Sequence, residues 1–145
     1  MRERRVTEIL AQRLQEERFM SLGVRYGQEQ GPDLEARLPA SGRRVYIEAK
    51  GEQPGGNESA KRRTALGKAL LQILLRYDSI SVCAIALPNT RGFRNLAQKV
   101  HPPLARLGIH VLLVGEDGQI WHLGPKTPAG LPRRIASLKD TLENG

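Results

Sequence analysis

A mixed α/β fold, a central sheet flanked by helices, is predicted from three features of the sequence. Residues 31–50 alternate with a two-residue period on both sides of Pro39-Ala40-Ser41-Gly42, which reads as a β-hairpin with a short loop. Residues 80–87 (ISVCAIAL) and 109–114 (IHVLLV) are apolar runs of the kind covered on both faces of a sheet. Helical spacing governs the segments around them. The expected order is helix, strand, hairpin, helix, strand, helix, strand, strand.

Each element has its own signal. Val6, Ile9, Leu10, Leu14 and Phe19 predict a helix over residues 5–20, ended by Ser21-Leu22-Gly23. Residues 24–26 read as a short strand and the polar residues 27–31 as a loop. After the hairpin, residues 51–59 (GEQPGGNES) form a Gly-rich connector. Ser59 is the expected N-cap of a helix over residues 61–78. Its Ala65, Leu66, Ala69, Leu70, Ile73 and Leu74 make a broad apolar surface, so the helix is expected to be largely buried. Residues 91–100 form a helix through Phe93, Leu96, Ala97 and Val100, interrupted by Pro102-Pro103. Glu116-Asp117-Gly118 turns the strand at 109–114 into residues 120–123, giving an edge hairpin. The expected domain covers residues 1–123. Residues 124–145 read as a Pro/Gly linker and a basic C-terminal tail, helical through Ile135, Leu138 and Leu142.

Composition narrows the partners. The 145 residues carry 23 Lys and Arg against 15 Asp and Glu, a net charge of +8. That balance favours a polyanion and does not separate DNA from RNA. No apolar run is long enough to cross a bilayer, so no membrane partner is expected. No signal region follows the basic N-terminus, and the lone Cys83 lies in an apolar run; both suggest the cytoplasm. His101, His110 and His122 have no zinc-site spacing. No phosphate-cradling Gly-rich loop or nucleophilic serine turn is present.

The hairpin register carries the chemistry. If Leu38 pairs with Arg43, paired positions sum to 81, so Arg37 faces Arg44, Glu35 faces Tyr46 and Asp33 faces Glu48. Opposed side chains lie about 5 Å apart, and Lys50 projects from the same face as Glu48. Two facing carboxylates repel unless a cation lies between them or one keeps its proton. Oxygen ligation of this kind suits Mg²⁺. A neighbouring ammonium then fits metal-assisted phosphodiester hydrolysis. A solvated polar face on an amphipathic hairpin is the plainer reading of the same residues.

Pro32-Asp33 followed by Glu48-Ala49-Lys50 at a strand end resembles the signature of the PD-(D/E)XK nuclease superfamily. The resemblance implies a restriction-endonuclease-like fold with an αβββαβ core, spanning residues 6–113 in element order. The small size is similar to that of Holliday-junction resolvases. It implies a Mg²⁺-dependent DNA endonuclease, with Mn²⁺ able to substitute. In that reading Asp33, Glu48 and the Ala49 carbonyl bind metal, and Lys50 positions the attacking water. Glu8 on the first helix and Gln72 on the second assist. Lys61, Arg62, Arg63 and Lys68 grip phosphates, and the chain works as a homodimer. A non-catalytic nucleic-acid-binding module on the same fold is the alternative, and a protein-interaction domain a third.

Overall fold

The computed structural model describes residues 1–26, 32–128 and 131–144. The elements are α1 (Glu3–Glu16), β1 (Met20–Val24), β2 (Leu34–Arg37), β3 (Arg44–Ala49), α2 (Glu58–Arg76), β4 (Val82–Pro88), α3 (Arg91–Arg106), β5 (Ile109–Val114), β6 (Ile120–Leu123), β7 (Arg133–Ile135) and α4 (Leu138–Asn144). The seven described strands form one sheet in chain order. β3, β4 and β5 run parallel, and the pairs outside them are antiparallel. The fold is mixed α/β as expected, and its first six elements follow the order αβββαβ.

Alternation along the strands sorts side chains into two cores. On one face α1 and α4 cover Leu34, Ala36, Val45, Ile47, Ala49, Ala84 and Leu112. On the other, α2 and α3 cover Tyr46, Cys83, Ile85, Leu87, Val111 and Leu113. α2 lies over β3 and β4. The face of β2 on that side, with Glu35 and Arg37, stays partly open.

The hairpin register matches the sequence reading. Leu34 pairs with Ile47, Glu35 with Tyr46, Ala36 with Val45 and Arg37 with Arg44. The turn closes through Leu38 N–H to the Arg43 carbonyl and Gly42 N–H to the Leu38 carbonyl, each 2.9 Å. Gly42 sits at φ 73°, where a residue without Cβ is unstrained.

Several boundaries differ, for local reasons. α1 stops at Glu16 because Arg18 turns left-handed (φ 62°) and Phe19 N–H reaches back to the Leu14 carbonyl. Residues 20–24 are then free to form the edge strand, rather than 24–26. Asn57, not Ser59, caps α2, its side chain accepting from Ala60 N–H at 3.1 Å. α2 is less buried than its composition suggested: Ala65, Leu66, Ala69 and Ile73 are buried, while Leu71, Leu74 and Leu75 are exposed. α3 runs through Pro102 and Pro103 instead of breaking there. Both prolines lie on its exposed side, where water can satisfy the carbonyls that lose a donor, while His101 and Leu104 hold the buried side. The loop expected at 27–31 lies outside the described residues.

The C-terminal segment is part of the domain, not a tail beyond it. β7 pairs with β6, so β6 is an inner strand and not an edge. Leu138 and Leu142 are buried in the α1 core. Glu17 anchors the start of α4, accepting from Leu138 N–H at 2.9 Å and Lys139 N–H at 2.8 Å.

The histidines, isolated in sequence, meet in space. His110 Nδ1 and His122 Nε2 are 2.8 Å apart with stacked rings, and His101 Nε2–H donates to the Gly124 carbonyl at 2.8 Å. Burial lowers the pKa of His110 to about 3 and of His122 to about 4. The unfolded chain therefore takes up protons below pH 6.5 that the folded pair refuses, so stability should fall as pH drops from about 6.5 towards 4. Denaturant midpoints measured across that range should show the fall. His110→Gln should flatten it, while an unchanged acid slope would place its origin elsewhere.

Candidate active site

β3 and β4 are parallel neighbours, so their C-terminal ends emerge on one edge of the sheet, where open α/β folds place their ligands. Glu48 sits near that end of β3. One step beyond the Leu34–Ile47 pair, the register brings Asp33 opposite it. Asp33 Oδ2 accepts from Ala49 N–H at 2.8 Å, which fixes the carboxylate against the strand.

Glu48 is only 4% exposed. Burial first, then the neighbouring Asp33 charge and a hydrogen bond with Asp33, push its pKa up to about 7. Asp33 is also raised, chiefly by burial, against the opposing pull of the Ala49 amide and Lys50. Each carboxyl thus opposes ionisation of the other. With both groups ionised, Glu48 Oε1 would be buried facing no donor, which is costly unless a proton or cation fills the gap.

Lys50 lies at the mouth of this pair, 19% exposed, with Nζ 3.6 Å from Glu3 Oε1. Glu3 is the acid that sequence reasoning missed. Its pKa is raised by burial, lowered by Lys50 and raised by Asp33, so it shares the site's field. Two contacts hold the start of α1 there. Glu52 N–H donates to the Met1 carbonyl at 2.8 Å, and Gly51 packs so closely on the Arg2–Glu3 backbone that a Cβ has no room. The glycine after Glu48-Ala49-Lys50 was the available signal.

The other expected residues divide. Glu8 stands away from the site, paired with Arg4 (3.3 Å) and Arg5 (3.8 Å). Five residues after Glu3, it points about 140° further round the helix. Gln72 is exposed, and its Oε1 accepts from Arg76 Nη1 at 3.3 Å. Arg76 in turn lends a weak stabilising field to both carboxylates. Lys68 is exposed on α2. Lys61 folds back to donate to the Pro54 carbonyl of the connector. Arg62 and Arg63 lie in the second turn of α2, with Arg62 packed against Gly92 of α3.

Among the described residues no group of three or more His, Cys, Asp or Glu forms a ready cage for a metal ion. The donor chemistry fits Mg²⁺ in its usual manner, with one or two carboxylates and the remaining positions left to water and substrate oxygens. Buried Glu48 Oε1 is the oxygen with most to gain.

The chain matches no family model, and no curated protein matches it in sequence. It is similar to the crystal structure of the YaeQ protein from Xanthomonas axonopodis pv. citri, at 16% identity and a TM-score of 0.40, over 91% of this chain and 81% of that one.

A carboxyl whose folded pKa (about 7) exceeds its ordinary value of 4.5 stabilises the fold only while protonated. That contribution is lost as pH rises from about 4.5 through about 7. Glu48→Gln, which keeps a donor towards Asp33, should stabilise the metal-free protein at pH 8 by roughly 2 kcal/mol. It should change little at pH 5. Millimolar Mn²⁺ should raise the pH 8 melting temperature of wild type but not of the variant, as thermal melts would record.

Proposed function

We propose that the protein is a Mg²⁺-dependent nuclease that hydrolyses phosphodiester bonds in DNA, with Mn²⁺ able to replace Mg²⁺. The observation that carries this reading is half-buried Asp33 facing buried Glu48, with Lys50 beside them, at the C-terminal edge of β3 and β4. The set supports membership of the PD-(D/E)XK superfamily, as does the αβββαβ order.

Asp33 and Glu48 would hold the cation, with the Ala49 carbonyl as a further oxygen. The bound cation supplies Lewis acidity at the phosphate and a more acidic water. Lys50 orients the attacking water or meets the charge that develops on the phosphate. Releasing the proton held by Glu48 readies the pair for the cation, so activity should rise with pH through about 7. Glu3 holds the Lys50 ammonium in place through their 3.6 Å contact.

The test is cleavage of plasmid, branched and single-stranded DNA, and of RNA, with Mg²⁺ or Mn²⁺. Asp33→Asn and Lys50→Ala should each lower the rate at least a hundredfold, and Glu8→Gln should leave it within about twofold. Lys50→Ala cutting like wild type on every substrate would remove the catalytic assignment. Salt-sensitive binding with no metal-dependent cutting would favour the non-catalytic nucleic-acid module.

Cutting both strands of a duplex calls for two sites, and a homodimer is part of this reading. The exposed face of α2 suits a second copy. Leu71 (56% exposed), Leu74, Leu75 (70%) and Ile80 (72%) follow Gly67, beside which a Cβ would meet open space. Leu71, Leu74 and Leu75 fall on one face of α2, and Ile80 follows the end of that helix. Two copies joined about a two-fold axis would cover these side chains, and a specific interface needs about 1,000 Å² in total. Sedimentation should give a dimer that Leu75→Glu converts to a folded monomer. A monomeric wild type at tens of micromolar would remove the dimer.

A further inference from the structure

A second site lies between the N-terminal halves of α2 and α3, the helices that follow β3 and β4. Ser59, Arg62, Arg63, Gly92, Asn95, Leu96 and Lys99 line a cavity of about 210 Å³. Three of these are cations, two are neutral hydrogen-bonding residues, and no acid is among them. Arg62 lies against Gly92 so closely that any Cβ there would overlap its guanidinium. The glycine thus lets Arg62 sit on the α3 backbone, with its side chain 20% exposed. Its only salt-bridge partner among the described residues is Glu58, 3.8 Å away and 78% exposed, a pair worth little in water. The guanidinium is therefore positioned by packing and left nearly uncompensated.

We propose that this cavity binds a backbone phosphate of the nucleic acid whose scissile phosphate lies at Asp33, Glu48 and Lys50. The inference rests on the nuclease reading for its substrate, but not for its chemistry. Arginine presents a planar fork that matches two phosphate oxygens, Asn95 adds an amide donor, and Lys99 adds a mobile point charge. The connector between β3 and α2 ties the two sites together. Glu52, two residues after Lys50, accepts from the Thr90 hydroxyl at 3.1 Å, immediately before α3. A polynucleotide backbone, with one phosphate at each site, is the ligand that this pairing of sites suits.

The experiment measures anisotropy of a labelled 20-base-pair duplex in EDTA across a range of KCl concentrations. Wild type should bind with a steep salt dependence. The double variant Arg62→Gln/Lys99→Gln should bind roughly tenfold more weakly at 0.1 M salt, with a log–log slope shallower by about 2. Asn95→Asp, which places a carboxylate in the cavity with almost no change of shape, should weaken binding without lowering the melting temperature. Lys139→Gln on α4, away from both sites, should keep the wild-type slope. Inorganic phosphate, lacking the rest of the strand, should compete only at millimolar concentrations. An unchanged slope in the double variant, or displacement by micromolar phosphate, overturns the proposal. If the slope falls as expected while wild type cuts nothing with Mg²⁺ or Mn²⁺, the phosphate site stands and the nuclease reading fails.

Discussion

The facing carboxyl groups of Asp33 and Glu48 are the constraint around which this edge of the molecule is built. Two carboxyl groups on neighbouring strands, one of them 4% exposed, cannot both ionise without a compensating charge. The fold tolerates the arrangement because everything beneath it is firmly made. The opposite face of the hairpin is buried and wholly apolar, from Leu34 to Leu38 and from Val45 to Ala49. The Ala49 amide then pins Asp33 so that it cannot turn away into solvent. The same packing that fixes the hairpin register thus enforces an electrostatic conflict, a combination more often met at functional sites than in plain structure.

Cover on the sheet is uneven, and the unevenness makes the site accessible. α2 lies over β3 and β4, and β2 keeps a partly open face beside them. Glu48 is therefore dry on the helix side, while Asp33 and Lys50 reach towards water. The N-terminus of α1 closes the remaining side through Glu3, and Gly51 sets how near it can come. A one-residue change in either connection would part Lys50 from its acid partners.

Two buried titrating pairs pull stability in opposite directions. The His110–His122 pair is refused protons by burial and favours higher pH. The Asp33–Glu48 pair retains a proton and favours lower pH. Between about pH 4.5 and 7 the two trends therefore oppose each other in the metal-free protein. The histidine pair is closed on itself, each ring being the other's partner at 2.8 Å. The acid pair leaves one oxygen unanswered. That difference separates a structural polar cluster from one shaped for a ligand.

The sequence alone determined the hairpin, its register and the meeting of Asp33 with Glu48. Two-residue alternation on both sides of a short turn admits few pairings, and a one-residue slip would turn Leu34 and Ile47 out to water. It determined β5 and β6 as well, because long apolar runs and a tight turn are local signals. Only the tertiary structure decided that Glu3, rather than Glu8, approaches Lys50. It alone brought His110 to His122, placed Lys99 beside Arg62, added residues 133–135 to the sheet and left Leu71 and Leu75 in the open. Each of these depends on where two distant segments come to rest against each other. Periodicity shows which face of an element is apolar, but packing decides which neighbour that face meets and how much of it is covered.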